Sequence, residues 1–300
     1  MDGVLNVLKP VGMTSHDVVD VLRRLIGQRR IGHTGTLDPG AAGVLVLVVG
    51  RATRIAEFLT ESDKAYRVEL TFGIATDSGD AFGKVTSTAD ASGLSEERVR
   101  DVLPQFTGEI EQVPPMTSAV KVAGVRLYER ARRGEEIVVA PRRVRIRTLT
   151  VLRFWSGARP RALVDVECTK GTYVRALARD MGVALEVGAH ASFMLRRRVG
   201  RFTLETGHTL EELAALREEG RLAGTLLSMD DALADLPAVD LLPAQRLSIL
   251  DGIALPLFKV PNWQHLPRDV PIRLRDQGGL LALARVEGGN LRPFKVLRGR

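Results

Sequence analysis

The residues from Val44 to Val49 form an uninterrupted apolar run with no alternation of polar residues. This pattern predicts a β-strand that is buried on both faces. The nine residues from Gly32 to Gly40 precede it and contain three glycines, two threonines, one proline and one acid, Asp38. We therefore predict a tight loop that places Asp38 just before the start of a core strand.

The composition of this loop suggests that it fixes Asp38 rather than merely exposing it. Glycine permits a positive-φ backbone that brings N–H groups close to a ligand, and Pro39 restricts the geometry of the residue before it. A desolvated and oriented carboxylate can act as a base or a nucleophile. The alternative is an Asx turn in which Asp38 only caps local backbone, and the loop alone does not decide between the two.

Hydrophobic periodicity along the chain predicts a mixture of helices and strands. Ser15 can cap a helix that ends near Gly27, and residues Tyr66 to Phe72 alternate as a strand does. Further helices are predicted at 52–59, 95–106, 127–133, 171–185 and 209–220, and further strands at 143–147 and 163–168. Because these elements show no regular βαβ repeat, the sequence favours an α+β fold.

The net charge of +7 and the pI of about 10.0 favour a polyanionic partner. An alternative is that the many arginines reflect a GC-rich genome. Two clusters of arginines lie beside candidate site segments and suggest a track for an RNA backbone. They are Arg23, Arg24, Arg29 and Arg30, and Arg196, Arg197, Arg198 and Arg201.

The single cysteine, Cys168, excludes an intrachain disulfide and a cysteine-rich zinc site. The longest apolar run is too short to cross a bilayer, and the N-terminus lacks the features of a signal peptide. We therefore expect a soluble, cytoplasmic protein with no membrane association. A length of 300 residues favours one large domain with a smaller one.

A series of motifs, in order along the chain, resembles the bacterial tRNA pseudouridine-55 synthases. The Gly32–Gly40 loop resembles the aspartate-bearing motif of that family. The other matching segments are Gly3–Asp17, Asp63–Val68, Val113–Lys121, Gly124–Gly134, Lys170–Arg175 and Met194–Arg197.

This resemblance implies a two-domain architecture. Residues 1–232 would form a pseudouridine-synthase catalytic domain, with a mixed, largely antiparallel sheet flanked by helices and an insertion at about 107–137. Residues 237–300 would form a small PUA-like β-barrel that binds RNA, following a linker near Leu233–Pro237. In the C-terminal segment, Pro and Gly residues separate short apolar runs, and this spacing also suggests a small barrel. An alternative role for that segment is to shield apolar surface of the main domain.

The resemblance also implies roles for particular residues. Asp38 would be the obligatory aspartate of pseudouridine formation. It would either attack C1′ of the ribose or remove the C2′ proton, and the sequence does not decide between the two. Arg175 would pair with Asp38 and keep it ionised. Tyr66 and Tyr173 would stack on a flipped uracil, and His33 would enter the T-loop where that base leaves.

Two further residues are implied to bind substrate. Leu195 would provide an apolar wall or a backbone contact for the uracil, and Lys9 belongs to the opening motif. The chain departs from the family pattern at Thr117, where many relatives have an aromatic residue, and at Gly40 and Ala42, where bulkier residues are common.

The resemblance thus implies an enzyme that isomerises uridine 55 in the T-loop of tRNA with no cofactor and no metal. Its partner would be the tRNA T-arm, no protein partner is implied, and a monomer is expected. The chief alternative is a noncatalytic protein that binds or folds tRNA. A glycoside-type hydrolase is less favoured because no paired carboxylates stand out.

Overall fold

The computed structural model describes residues 1–118, 120–122, 124–135 and 137–298. The predicted insertion contains Ala119, Ala123 and Glu136, and the predicted C-terminal domain ends with Gly299 and Arg300. These five residues lie outside the described residues. In the part that is described, no helix combines the length and apolar character needed to span a bilayer.

The described elements follow one another along the chain as short strands and helices. The helices are α1 (Ser15–Ile26), α2 (Ala56–Thr60), α3 (Glu96–Val102), α4 (Leu127–Arg132), α5 (Val174–Ala184), α6 (Leu210–Glu218), α7 (Met229–Ala232) and α8 (Pro243–Leu250). The first nine strands are β1 (Gly3–Lys9), β2 (Ile31–His33), β3 (Ala41–Val49), β4 (Lys64–Phe72), β5 (Ile74–Thr76), β6 (Val85–Thr88), β7 (Gly108–Gln112), β8 (Lys121–Val122) and β9 (Val125–Arg126). The remaining strands are β10 (Arg142–Trp155), β11 (Arg161–Cys168), β12 (Ala189–Val199), β13 (Phe202–Thr203), β14 (Ala238–Asp240), β15 (Leu255–Pro256), β16 (Ile272–Asp276), β17 (Gly279–Glu287) and β18 (Asn290–Val296).

A nine-stranded sheet forms the centre of the molecule, with its main strands in the order β1-β3-β12-β4-β11-β10-β7. Strand β2 pairs with β3, and β13 pairs with β12. Among the described strands of this sheet, β3 and β12 form a parallel pair and the other neighbours are antiparallel. The prediction of a mixed α+β fold with a largely antiparallel sheet is confirmed.

Strand β3 is buried on both faces, as its apolar run predicts. Leu45 and Leu47 belong to the core that the sheet shares with α1 and α5. Val44, Val46 and Val48 belong to a second core on the opposite face, which also contains three residues of the C-terminal segment, Leu280, Leu283 and Leu297. The C-terminal sheet therefore packs directly on the back of the strand that follows Asp38.

The first helix begins one residue earlier than the sequence prediction assigned. Thr14 is the N-cap, because its hydroxyl accepts the N–H of Asp17 and the carboxylate of Asp17 accepts the N–H of Thr14. The prediction that Ser15 caps this helix is wrong. The hydroxyl of Ser15 instead bonds both the backbone N–H and the carbonyl of Leu37, and so ties the helix to the Asp38 loop.

The predicted insertion begins with residues that belong to the main sheet. Strand β7 pairs with β10 and forms the edge of the sheet, with Glu111 opposite Arg143. Strand β10, which includes Arg143 and Arg145, therefore lies between β7 and β11 in the sheet. Beyond β7, the chain leaves the sheet and forms the β8–β9 hairpin and α4 around a small apolar cluster of Val120, Leu127 and Val139.

The C-terminal strands form a five-stranded sheet in the order β14-β16-β17-β18-β15. Strands β14 and β16 are parallel, and the other neighbours are antiparallel. The inner face has its own apolar core, which includes Ile272, Leu274 and Leu281. The arrangement in the described residues is a half-barrel.

Candidate active site

The Asp38 loop is held in place by backbone contacts to its surroundings. The N–H of Gly12 donates to the carbonyl of Pro39 at 2.8 Å, and the N–H of Ala41 donates to the carbonyl of Asp38 at 3.0 Å. With the two bonds from Ser15 to Leu37, these contacts fix the loop on both sides of Asp38. The carboxylate is one-third exposed.

The predicted use of positive φ is wrong for the glycines of this loop, because Gly32, Gly35 and Gly40 all lie outside that region. The conformation occurs instead at Gly43, in β3, with φ of 107°. A Cβ atom there would also lie 2.2 Å from the carbonyl oxygen of Arg196 on the adjacent strand. Gly43 therefore allows β12 to approach the strand that follows Asp38.

Arg175 lies against Asp38, across 137 residues of sequence. The Nε atom of Arg175 is 2.8 Å from Oδ2 of Asp38, and Nη2 donates to Oδ1 at 3.2 Å. Arg175 is in the first turn of α5, and its side chain is only 5% exposed. The planar guanidinium therefore contacts both carboxylate oxygens and fixes the orientation of Asp38.

Other groups also hold the same guanidinium. Nη1 of Arg175 donates to the Thr117 hydroxyl at 2.5 Å and to the Ser78 carbonyl at 3.1 Å. It also lies 3.6 Å from Oδ2 of Asp80. Asp80 was not singled out from the sequence, because its pairing with a residue on α5 leaves no local signal. At Thr117, the departure from the family pattern supplies a hydroxyl to Arg175.

Arg196 is buried behind the Asp38 loop, with an exposed fraction of 1%. Its guanidinium donates to the carbonyls of Val44 at 2.7 Å and of Thr36 and Gly35 at 3.1 Å. The prediction that Arg196 is part of an RNA-facing track is therefore wrong. Since all three acceptors are backbone carbonyls in or next to the loop, Arg196 determines the shape of the loop.

Tyr66 lies on β4, opposite Arg196 of β12. Directly opposed residues of antiparallel strands share a face of the sheet, so Tyr66 points to the same side as Arg196. Its side chain is buried in the main core. Burial raises the pKa of the Tyr66 hydroxyl, and the positive charge of Arg196 acts in the opposite direction. Tyr66 thus carries a protonated hydroxyl at neutral pH.

His33 ends β2, at the start of the same loop. Burial lowers the pKa of its ring, and the nearby charges of Arg196 and His16 add to that effect. Its Nδ1 atom is buried and has no hydrogen-bond partner among the residues that the structure describes. His33 is thus a neutral ring at neutral pH, with one nitrogen unsatisfied within that part of the protein.

Tyr173 and Leu195 are also implied to bind substrate. Tyr173 is the N-cap residue of α5, where its backbone exchanges hydrogen bonds with the Gln112 side chain, and its ring packs on the apolar cluster beyond β7. Leu195 is opposite Arg67, so its side chain is on the face of the sheet away from Tyr66. Any contact of Leu195 with a base at Asp38 would use its backbone.

Lys9 is fully buried rather than directed outward. Its ammonium group donates to the carbonyls of Pro10 and Met13, both at 2.7 Å, and to that of Pro39 at 3.5 Å. Burial lowers the pKa of Lys9 to about 8, although the charge of Asp38 opposes the shift. Lys9 therefore joins the 10–13 turn to the Asp38 loop.

Lys64 is a further buried cation that the sequence analysis did not single out. Its ammonium group donates to the carbonyls of Thr60 and Ser62, at 3.3 and 2.8 Å. Burial lowers the pKa of Lys64 to about 8, and the charge of Arg196 adds to the effect. With Lys9, Arg175 and Arg196, it makes the interior around Asp38 rich in positive charge.

A depression of about 350 Å³ is lined by Thr148, Thr150, Leu152, Asp165 and Glu167, and also by Tyr66. Since Asp165 is opposite Arg67, its side chain lies on the face of the sheet away from the Tyr66 side chain. Asp165 there holds two arginines, Arg67 at 2.8 Å and Arg197 at 2.6 Å. Asp38 does not line this depression. Arg197 is thus engaged on the far side of the sheet from the candidate site.

Comparison with known proteins identifies the family of this chain. Residues 23–174 match the N-terminal domain of the TruB family of pseudouridylate synthases. A protein of Symbiobacterium thermophilum named tRNA pseudouridine synthase B is 55% identical over 254 residues, which are 85% of this chain and 83% of that protein. A protein of Pelotomaculum thermopropionicum with the same name is 48% identical and covers 95% of this chain and 91% of its own length. The chain belongs to the TruB family of pseudouridylate synthases.

Solved structures extend the similarity to the complete fold. A chain from a Cbf5-Nop10-Gar1 complex superposes with a TM-score of 0.76 at 27% identity, over 99% of this chain and 85% of that one. A chain from an H/ACA RNP bound to a substrate RNA containing 2′-deoxyuridine gives a TM-score of 0.75 at 25% identity, over 99% and 86%. Both matches include the C-terminal half-barrel, since they span nearly all of this chain.

Proposed function

We propose that this protein is a tRNA pseudouridine synthase that isomerises uridine 55 in the T-loop of tRNA. The observation that carries the proposal is the partly exposed carboxylate of Asp38, because the buried guanidinium of Arg175 contacts both of its oxygens. A protein that only bound RNA would gain nothing from a fixed carboxylate facing a polyanion. Membership of the TruB family and the names of its relatives support the same activity.

The reaction that we propose rearranges one nucleotide without adding or removing atoms overall. The bond between N1 of uracil and C1′ of the ribose breaks, and a bond between C5 and C1′ forms. The proton on C5 is released, and N1 gains one. No electrons are exchanged with a cofactor, so one fixed carboxylate and a site that holds the detached base are sufficient.

In this proposal Asp38 acts on the ribose of the flipped uridine. Attack on C1′ and removal of the C2′ proton are both compatible with a carboxylate in this position. The protonated hydroxyl of Tyr66, on the same face of the sheet, would lie against the uracil. His33 would enter the space that the base leaves. Stacking on nucleic acid contributes roughly 1–3 kcal/mol per base, which offsets part of the cost of flipping.

The buried cations would assist by electrostatic attraction. Lys9, Lys64, Arg175 and Arg196 surround a site whose carboxylates are Asp38 and Asp80. A positive interior favours the approach of the RNA backbone and of a uracil anion released from C1′. This charge agrees with the net charge of +7 of the chain.

We propose that residues 1–232 form the catalytic domain and that residues 237–300 form a PUA-like RNA-binding domain. The half-barrel of β14–β18 and its separate apolar core support this division. Four basic residues of this domain are held by acidic side chains. Arg273 pairs with Asp230, Arg275 with Asp240, Lys295 with Glu57, and Arg298 with Asp276.

Arg268 and Arg292 of the half-barrel are exposed and could contact phosphate. Arg268 is exposed and forms no ion pair within the described part of the chain. Arg292 is exposed and lies 3.5 Å from Glu287 in a surface pair, which contributes little to stability. We therefore propose Arg268 and Arg292 as the phosphate contacts of this domain.

The proposed function is tested by incubating purified protein with an unmodified tRNA transcript and mapping pseudouridine by carbodiimide-dependent stops of reverse transcription. We expect a stop at position 55 with the wild-type protein. A transcript with cytidine at that position should give none. Asp38→Asn should bind tRNA but lose activity by about 10³-fold or more, because the amide is neither a base nor a nucleophile.

Asp101, an exposed carboxylate on α3, provides the matched control, and Asp101→Asn should retain full activity. Near-normal activity of Asp38→Asn would overturn the catalytic assignment. Tight tRNA binding without pseudouridine formation by the wild type would instead favour a noncatalytic RNA-binding protein.

A further inference from the structure

Phe82 is an exposed aromatic residue beside the candidate site. It lies on the loop 77–84 between β5 and β6, and it is 71% exposed. Asp80, two residues earlier, contacts Arg175. Single exposed apolar side chains are common, so exposure by itself indicates no function. The position of the ring and the rigidity of its loop are more informative.

The loop that carries Phe82 is tied by its own polar groups. The carboxylate Oδ1 of Asp80 accepts the backbone N–H of Phe82 at 3.0 Å and the hydroxyl of Ser78 at 2.7 Å. The backbone N–H and carbonyl of Lys84 both bond to Asp77, and the N–H of Ala81 donates to the carbonyl of Ala191. The backbone at Phe82 is therefore fixed relative to Asp80 and thus to Arg175.

The ring of Phe82 rests on Gly40, two residues after Asp38. A Cβ atom on Gly40 would lie 2.3 Å from Cε2 and 2.5 Å from Cδ2 of Phe82. Because Gly40 has no positive φ, its backbone conformation does not require glycine. The absence of a side chain at Gly40 instead provides the space that the ring occupies. The Asp38 loop thus supports one side of the ring, and the rest is exposed.

We infer that Phe82 stacks on a nucleobase of the RNA substrate, next to the nucleotide that Asp38 engages. This inference rests on the proposed function. A planar, apolar surface that is pre-positioned beside a cationic site matches the chemistry of an unstacked base, because every base has an aromatic face. Flipping the target nucleotide opens the base stack. His33 would enter the space that the base leaves, and Phe82 covers the exposed face of a neighbouring base at the rim of the site.

A fluorescent T-arm hairpin tests the inference. The hairpin carries 2-aminopurine, in turn, at each nucleotide that flanks the target uridine. It is titrated with the Asp38→Asn protein, so that the complex does not react. Stacking quenches 2-aminopurine, and we expect quenching at one flanking position. Phe82→Ala in the same background should abolish that quenching and weaken binding roughly 5- to 100-fold, the contribution of one base–aromatic stack.

Three variants separate stacking from a general loss of apolar surface. Phe82→Trp should retain both quenching and affinity, whereas Phe82→Leu should lose the quenching. Gly40→Ala should displace the ring and reproduce part of the loss seen with Phe82→Ala. Phe193, an exposed phenylalanine on the opposite face of the sheet, provides the control, and Phe193→Ala should change neither readout.

Unchanged affinity and quenching in Phe82→Ala would overturn the inference and assign Phe82 to shielding the Asp38 loop. This outcome is distinct from failure of the proposed function, which is measured by pseudouridine formation in the wild type. If the wild type modifies tRNA and Phe82→Ala keeps normal affinity and quenching, the inference alone is wrong. If quenching depends on Phe82 but the wild type forms no pseudouridine, the proposed activity alone is wrong.

Discussion

The guanidinium of Arg175 contacts both carboxylate oxygens of Asp38, with Nε 2.8 Å from Oδ2 and Nη2 3.2 Å from Oδ1. The arginine is buried, whereas the carboxylate is partly exposed. This asymmetry means that the protein holds one side of Asp38 and leaves the other accessible. The contact therefore orients a reactive group rather than closing an internal ion pair.

Replacing Arg175 should impair the chemical step more than RNA binding. We expect Arg175→Met to lower kcat by about 10²-fold or more, since misplacement of a reacting group by about 1 Å has that effect. Arg175→Lys should recover only part of the activity, because an ammonium group cannot contact both oxygens in one plane. Single-turnover rates and equilibrium binding to the same tRNA measure the two effects separately. If Arg175→Met lost affinity alone, the residue would be a phosphate clamp.

His33 and Tyr66 should act at different stages. His33 is at the edge of the loop with a neutral ring, whereas Tyr66 is buried on the face of the sheet beside Arg196. We expect both alanine variants to be slow on tRNA. A minimal hairpin whose loop is already open should partly restore the rate of His33→Ala, because extrusion is then no longer needed. It should not restore Tyr66→Ala, and equal recovery of both variants would contradict this division of roles.

Lys9 should make folding stability rise with pH in the alkaline range. Its pKa is about 8 in the folded protein and 10.5 in the unfolded chain. Between these values the unfolded chain binds more protons, so the folded state gains stability as pH rises. The unfolding free energy of the wild type minus that of Lys9→Met should increase by about 2–3 kcal/mol from pH 8 to 10.5.

Urea titrations across this pH range measure the effect of Lys9. The exposed Lys84 controls for the loss of one positive charge, and Lys84→Met should show no such increase. A difference between wild type and Lys9→Met that stays constant or falls with pH would show that the three carbonyls around Lys9 outweigh its burial.

Arg268 and Arg292 of the half-barrel should affect the salt dependence of tRNA binding. The double variant Arg268→Ala and Arg292→Ala should reduce the slope of log affinity against log salt by about 1–2, since each lost phosphate contact contributes about 0.9. Arg275→Ala should leave the slope unchanged, because Asp240 already holds that guanidinium. Filter-binding titrations at several salt concentrations measure the slope. A larger effect from Arg275 than from the double variant would contradict the assignment.

Truncation is a poor substitute for these point variants. Leu280, Leu283 and Leu297 pack with Val44 and Val46 of the strand that follows Asp38. Removal of the C-terminal sheet would expose that apolar surface, so loss of activity would not distinguish RNA binding from shielding. The shielding role considered for this segment is therefore present in the fold, and it is compatible with RNA binding by the exposed arginines.

Local patterns determined much of the architecture from the sequence. The apolar run of β3, the alternation of β4 and the periodicity of α1 each depend on which faces of one element are buried. The loop composition singled out Asp38, although the positive φ expected of its glycines does not occur. The family resemblance supplied Arg175, which no local pattern would have distinguished from a surface arginine.

The tertiary structure alone decided which groups surround Asp38. Arg175 binds Thr117 and Ser78, which are 58 and 97 residues away, and Arg196 binds Val44 across 152 residues. Strand register also placed Leu195 on the far face of the sheet and buried Arg196 behind the loop. Periodicity shows that a strand has two faces, but only its pairing with neighbouring strands determines what each face meets. The same reason explains why the contact between Phe82 and Gly40 could be found only in the folded chain.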